Sequence, residues 1–234
     1  MFGRDLAFIL QAKPYRETGF IIKAYLKNTG LMSFIIQGVR GKVKRKQHFQ
    51  LFRPYELVYY DSHKSELKRI KEIKSITPDP GNDPLRSVVS TFCADIFLQS
   101  VKEEEGSQSL YELLAKYVVL FDEDVQESDA HILFCRDLIL LLGLLPDSFP
   151  KDPKLRFALV EAEMIDPANY ADTRNLLDEN GSLLFGRFLS AENPITKNGE
   201  ERYQLLKIIC HYLEIQQPGF KEPLSLDVLH QMLY

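Results

Sequence analysis

Three prolines and a glycine fall within eight residues at Thr77-Pro78-Asp79-Pro80-Gly81-Asn82-Asp83-Pro84. A strand does not cross such a stretch, because proline removes the N–H that a ladder needs and glycine loosens the backbone. The stretch ends in Asp83-Pro84, an N-cap residue followed by proline at the first helical position. The chain therefore divides into two parts of different character, with domains expected at residues 1–78 and 79–234.

The front part reads as strands. Leu6–Ala12, Gly19–Lys27, Leu31–Gly38, Tyr55–Tyr60 and Glu66–Ile76 are rich in β-branched and aromatic residues, often in alternation. Turn-like or polar segments separate them, among them Pro14-Tyr15-Arg16-Glu17 and Asn28-Thr29-Gly30. Ile70, Ile73 and Ile76 share a spacing of three that a short helix would also show, but the mixed charge of Leu67–Lys71 suits an edge strand. Five short strands with a longer connection between the third and fourth fit a Greek-key barrel of the OB type.

The rear part reads as helices. Leu85, Val88, Val89, Phe92, Ile96 and Phe97 recur at helical spacing, and further helices are expected near Ser107–Phe121 and Ser128–Gly143. A weaker helical stretch, Leu155–Ala162, is followed by a polar segment to Pro194, then by helices over Glu200–Leu213 and Leu224–Leu233. The expected fold class is α+β: an N-terminal five-stranded OB-type β-barrel followed by an all-α bundle of five or six helices.

Charge follows the same division. Residues 1–80 hold 16 Lys+Arg and 7 Asp+Glu, whereas residues 81–234 hold 13 and 26. Five of the cations lie in the seven residues Arg40-Gly41-Lys42-Val43-Lys44-Arg45-Lys46, between the third and fourth strands. Like charge concentrated in one loop repels itself, so a polyanion partner for the front part is the functional reading, against an ordinary solvated loop. Arg40, Lys42, Lys44, Arg45 and Lys46 are the expected phosphate donors, with Arg16 on a turn and Lys68, Arg69 and Lys71 on the last strand beside them. Tyr15, Phe49 and Tyr59 are candidate base-stacking residues, although most aromatics in strands serve the core.

Other chemistries find little support. The three cysteines, Cys93, Cys135 and Cys210, are widely spaced, form no CxxC and sit in apolar helical patterns, so each reads as a small buried hydrophobe. His131 and Cys135 share a helical face four residues apart, but no third ligand or acid stands at a matching offset. There is no Walker sequence and no GxGxxG. Glu103-Glu104-Glu105 and Asp122-Glu123-Asp124 follow helices, where anions oppose the helix dipole, and read as solvated turns. The N-terminus lacks a signal-peptide pattern, and the longest apolar run, Leu138–Leu145, is too short to span a bilayer. A cytoplasmic protein with no membrane partner is expected.

Several of these segments together resemble the RecO family of bacterial recombination mediators. Pro14-Tyr15-Arg16-Glu17-Thr18-Gly19 looks like the family's turn after the first strand. Thr29-Gly30-Leu31-Met32-Ser33, Gly38-Val39-Arg40-Gly41 and Phe52-Arg53-Pro54-Tyr55-Glu56-Leu57 are similar to its next three segments. Tyr212-Leu213-Glu214, Pro218-Gly219-Phe220 and Ser225-Leu226-Asp227-Val228-Leu229 look like its closing block. The resemblance implies DNA repair by a non-enzymatic protein that binds single- and double-stranded DNA and anneals complementary strands. It also implies help in exchanging single-stranded-DNA-binding protein for a RecA-type recombinase, with RecR as partner, and a nucleoid-associated location. Many members carry a four-cysteine zinc site in the helical part. The matching stretch here, Met164 to Phe188, has no cysteine, so neither zinc nor another cofactor is expected.

The resemblance further implies a groove on the helical part for the acidic, apolar-tipped tail of single-stranded-DNA-binding protein. Lys116, Arg136, Lys151 and Arg156 are the candidate cations for it, against ordinary surface ion pairs. Two function classes thus stand at this point: a DNA-binding mediator, and a protein-interaction adaptor whose barrel binds peptide or RNA.

Overall fold

Alternation in the front part produces five strands: β1 (Phe2–Tyr15), β2 (Gly19–Leu26), β3 (Gly30–Ile36), β4 (Arg53–Tyr60) and β5 (Leu67–Ser75). The fold is that of a computed structural model, which describes residues 2–37, 49–61, 67–78, 81, 83–102, 106–123, 129–146, 152, 154–191 and 194–233, the side chain of residue 233 excepted. The strands close into a barrel in the order β1-β2-β3-β5-β4. All pairings are antiparallel except β3 with β5, where Ser33, Phe34 and Ile35 stand beside Leu67, Lys68 and Arg69 and shut the barrel. This is the OB-type closure expected from the strand count and the long third connection.

One face of every strand turns inward. Ala7, Ile9, Ile22, Ala24, Leu26, Phe34, Ile36, Tyr55, Leu57, Tyr59 and Ile70 form the barrel core. Asp5, only 7% exposed, fixes the β2–β3 turn by accepting hydrogen bonds from the Asn28 backbone (3.1 Å) and side chain (2.8 Å).

The chain divides into two compact units, residues 1–125 and 126–234. Helices α1 (Pro84–Ser100) and α2 (Gln108–Glu123) therefore group with the barrel, although the change from strand to helix falls near residue 80. The reason lies on the outer wall of the strands. Outward-facing Phe8, Tyr25 and Phe52 are at most 1% exposed, because Tyr111, Phe97 and Phe121 of the helices pack on them at ring distances of 5.1, 5.1 and 5.4 Å. Asp83 caps α1 as its sequence suggests, accepting from the Leu85 and Arg86 amides.

The second unit holds α3 (Ala130–Leu141), a hairpin of β6 (Arg156–Ala158) and β7 (Glu163–Ile165), two single-turn 3-10 helices, α4 (Glu179–Leu189), α5 (Gly199–Gln216) and α6 (Ser225–Leu233). Its core centres on the rings of Phe157, Phe185, Phe188 and Tyr212, with neighbouring centroids 4.8 to 6.2 Å apart.

Two expectations fail in this unit. The helical stretch at Leu155–Ala162 is the β6 strand and a turn: Phe157, Ala158 and Leu159 are buried in succession, which one helical face cannot achieve. The segment before Pro194 contains α4, hidden in the sequence by Asn180, Gly181 and Gly186, which are poor helix formers. Its Leu184, Phe185, Phe188 and Leu189 carry the helical period, and Asp178 caps it through the Gly181 amide at 2.7 Å.

Candidate nucleic-acid interface

The run Arg40, Lys42, Lys44, Arg45 and Lys46 lies outside the described residues, but both of its attachments are defined. Before it, Ile36 ends β3 inside the core. After it, Phe49 packs edge-on against Phe20 at 5.4 Å and near Tyr55, whose hydroxyl accepts from the Gln50 amide at 3.2 Å. The basic segment is thus strung between two anchored points of one barrel.

The other expected cations differ in availability. Arg16 is exposed on the β1–β2 turn, held at φ 52° with its guanidinium 5.2 Å from the centre of the Tyr15 ring. Lys68 is mostly covered, its side chain 12% exposed and 3.3 Å from Asp61. Arg69 is exposed on the outer wall, in register with Tyr60 and Ile35. Lys71 is also exposed, with its ammonium 4.8 Å from the Phe2 ring centre and 3.4 Å from Glu72.

Of the aromatic candidates, Tyr59 lies in the core against Phe34 at 5.2 Å; burial, with Asp5 and Asp61 nearby, pushes its phenol pKa up. Phe49 packs against that core, and Tyr15 is half-buried beneath Arg16. Among the described residues, the aromatics that do face solvent are Phe2 and Tyr60, 56% and 44% exposed. Strand parity could have found Tyr60: with Tyr55, Leu57 and Tyr59 inward, its ring must point out.

A cavity of about 200 Å³ in the first unit is lined by Phe49, Leu51, Arg53, Asp83 and Arg86 among others. Its two guanidiniums are committed. Arg53, 5% exposed, makes a bidentate pair with Asp122 at 2.6 and 2.5 Å, and Arg86 lies 3.6 Å from both Asp122 and Asp83. Asp122 is therefore not a solvated turn residue. It is the carboxylate that neutralises a buried arginine of β4, a long-range partnership with no signal in the local sequence.

Of the four cations assigned to partner docking, one lies in the first unit, two lie in the second and one is outside the described residues. Lys116 belongs to α2 in the first unit, 4.9 Å from the Tyr117 ring. In the second unit Arg136 donates to the Leu189 carbonyl at 3.1 Å and approaches Asp137 at 3.4 Å. Arg156 pairs with Glu179 at 3.0 Å. Lys151 lies outside the described residues. What sequence reading missed is an exposed apolar ridge: Leu224, Val228 and Met232, at spacing four, are 87%, 47% and 46% exposed, whereas Leu226 and Leu229 face inward.

The His131 imidazole and the three cysteine thiols are sealed. His131 is 1% exposed, and burial lowers its pKa to about 4. Burial pushes the Cys135 thiol up to about 12 and raises that of Cys210 as well. A protonated, buried thiol is a poor nucleophile. Among the described residues no group of His, Cys, Asp and Glu could hold a metal ion. The Met164–Phe188 stretch is held by other means: the Phe157 amide donates to Ser182 Oγ at 3.0 Å, the Leu177 amide to the Phe157 carbonyl at 2.9 Å, and Asp166 and Asp172 cap the two 3-10 turns. No described helix is long and apolar enough to cross a membrane.

Comparison with known proteins agrees with this architecture. Residues 1–78 match the family model for the N-terminal part of recombination protein O. The DNA repair protein RecO of Flavobacterium psychrophilum is 26% identical over 235 residues, covering 97% of each chain. Those of Christiangramia forsetii and Bacteroides fragilis are 27% and 26% identical, covering 97% and 99% of each chain. Over nearly its whole length the chain is similar to RecO proteins. The barrel is the part that the family model spans, and the similarity to RecO relatives carries on through the helical unit.

Proposed function

We propose that this RecO-like chain is a non-enzymatic recombination mediator. It binds single- and double-stranded DNA through its barrel and anneals complementary strands. With RecR, it assists loading of a RecA-type recombinase onto DNA coated by single-stranded-DNA-binding protein. The observation that carries this reading is the basic run, five cations in seven residues, inserted into an OB-type barrel and anchored on both sides by core residues. The relatives named above are DNA repair proteins, which supports the same reading.

Physically, lysine and arginine that neutralise phosphates release condensed counterions, so affinity should fall steeply with salt whatever the sequence bound. Neutralising two strands at once also lowers their mutual repulsion, which is what annealing needs in the absence of nucleotide hydrolysis. The ridge on α6, with Lys221 three residues before Leu224, supports docking of an acidic, apolar-tipped tail on the second unit. A cytoplasmic, nucleoid-associated protein follows from this function.

The deciding experiment is fluorescence anisotropy of a labelled single-stranded oligonucleotide across salt concentrations. The wild type is compared with a variant in which Lys42, Lys44, Arg45 and Lys46 become Gln. The expected result is a steep log–log slope that flattens by about three in the variant, at roughly 0.7 per phosphate contact on single strands. An absence of binding at low salt would overturn the reading in favour of a protein-docking barrel.

A further inference from the structure

Among the described residues, aromatic rings gather on the outer wall of the barrel at two places. At one, Phe8, Tyr25 and Phe52 lie under α1 and α2. At the other, Phe2 and Tyr60 are directly paired across β1 and β4, their ring centres 5.0 Å apart, and remain 56% and 44% exposed. Solvated barrel walls usually carry polar residues at such positions, so a bare aromatic pair calls for an explanation.

The sequence fixes the pair in place. Gly3 faces inward, where a Cβ would fall 2.4 Å from the Tyr59 ring, so any side chain there would push that ring from its place across β1. With Gly3 and Tyr59 inward, Phe2 and Tyr60 are both turned outward. The ladder between β4 and β5 then slips by one residue: Tyr59 pairs with Ile70, but Val58 pairs with Glu72. Lys71 is the extra residue of this bulge, and bulges re-aim side chains. Its ammonium is carried to 4.8 Å from the centre of the Phe2 ring. Arg69, exposed, stands beside Tyr60 on the same wall.

The surroundings favour an anionic ligand. Strand β5 carries Lys68, Arg69, Lys71 and Lys74 against the single acid Glu72. The acids nearby are engaged: Glu72 with Lys71 at 3.4 Å, Glu56 with Arg4 at 3.0 Å and Asp61 with Lys68 at 3.3 Å. Two open aromatic rings flanked by cations present what a single strand offers in return, a base face beside a phosphate.

We propose that Phe2 and Tyr60 form a base-stacking platform for single-stranded DNA on the β1–β4–β5 wall, with Arg69 and Lys71 holding the adjoining phosphates. This rests on the DNA-binding reading above and extends it to a surface separate from the basic run in sequence. Sequence-independent stacking of this kind suits a protein that must hold any strand.

The test uses the full chain, a labelled oligo(dT) and an abasic oligomer of equal length and charge. Replacing both residues (Phe2→Ala with Tyr60→Ala) should weaken oligo(dT) binding about tenfold or more. Abasic binding and the salt slope should be unchanged. Because the chain has no tryptophan, Phe2→Trp supplies a sole indole reporter that keeps an aromatic face. Its emission should be quenched by oligo(dT) and not by the abasic strand, which also guards against misfolding of the double variant.

Binding of oligo(dT) within twofold of wild type, together with an unquenched indole, overturns the platform and leaves the basic run as the DNA site. That result would also be seen if the patch served a protein partner. A wild type that binds neither oligomer removes the platform and the DNA-binding reading together.

Discussion

Both compact units use an arginine–aspartate pair as an internal tie, and they place the carboxylate at opposite ends of a helix. In residues 1–125, Asp122 sits in the last turn of α2, where the helix dipole disfavours an anion, and Arg53 of β4 compensates. In residues 126–234, Asp129 sits at the start of α3, where the dipole favours it. It makes no local cap; it accepts instead from the Ile195 and Thr196 amides, the Thr196 hydroxyl at 2.7 Å and Arg202 Nε at 3.0 Å. Local position sets a preference for such a group, but the partner distant in sequence decides its role.

The two ties should therefore fail differently. Asp129 is the more enclosed, with its side chain 10% exposed and Arg202 at 18%. Asp129→Ala removes the carboxylate that faces that guanidinium and accepts from two amides, and should cost about 3–5 kcal/mol of stability in the second unit. Chemical denaturation followed by hydrogen exchange of the α3 and α5 amides measures it. A loss below about 1 kcal/mol would show that water replaces the carboxylate and that the tie is not structural.

His131, next to this tie, adds a dependence on pH that the first unit does not share through any described histidine. Burial lowers its folded pKa from 6.5 to about 4, with Asp129 opposing the shift and Arg202 adding to it. Between those values the unfolded chain binds the extra proton, so stability falls as pH drops. The contribution is full above about pH 6.5 and is lost progressively toward pH 4. At 1.36 kcal/mol per unit it amounts to about 3 kcal/mol. Denaturation midpoints from pH 7.5 to 4.5 should show a slope for the α3–α5 region that His131→Gln reduces; an unchanged slope would assign the effect to carboxylates.

The Arg53–Asp122 pair is expected to matter less: Arg53 is buried, but Asp122 is 36% exposed, so water can enter the space its carboxylate vacates and hydrate the guanidinium. Asp122→Ala should cost about 2 kcal/mol, the range for a hydrogen bond to a charged group. The double variant Arg53→Met with Asp122→Leu should recover most of that loss, since an apolar pair replaces a buried ion pair at little cost. If the double variant is no better than the single, the pair supplies something other than charge compensation, such as the shape of the adjoining cavity.

The same contrast explains what the sequence made legible. The barrel was readable because each strand is amphipathic on its own: Tyr55, Leu57 and Tyr59 alternate within a single element, and turns at Asn28–Gly30 and Pro14–Glu17 punctuate the pattern. Helices α1, α2 and α5 were readable for the corresponding reason at period 3.6. The region from 155 to 190 was not, because β6 is three residues long with Phe157 and Ala158 buried in succession, and α4 carries two glycines. The interface was half legible. Charge shows in composition, so the basic run and β5 stood out. Exposure does not, and it separates Tyr59 in the core from Tyr60 on the wall; likewise Lys68 looks equivalent to Arg69 until its pairing with Asp61 is seen.

The smallest effect compares the aspartate helix caps of the two units. Asp83 caps α1 and Asp178 caps α4, each accepting from amides of the first turn at 2.7 to 2.9 Å in its shortest bond. Removing either by Ala should cost about 1 kcal/mol, because one or two first-turn amides lose their acceptor to solvent. The two differ in a second role. Asp83 also faces Arg86 at 3.6 Å, and Arg86 in turn faces Asp122. Asp83→Asn keeps the cap and removes the charge, so it should be nearly neutral if capping is the whole contribution. A loss as large as that of Asp83→Ala would instead place Asp83 in the electrostatic tie of the first unit, making that tie a cluster of two arginines and two aspartates.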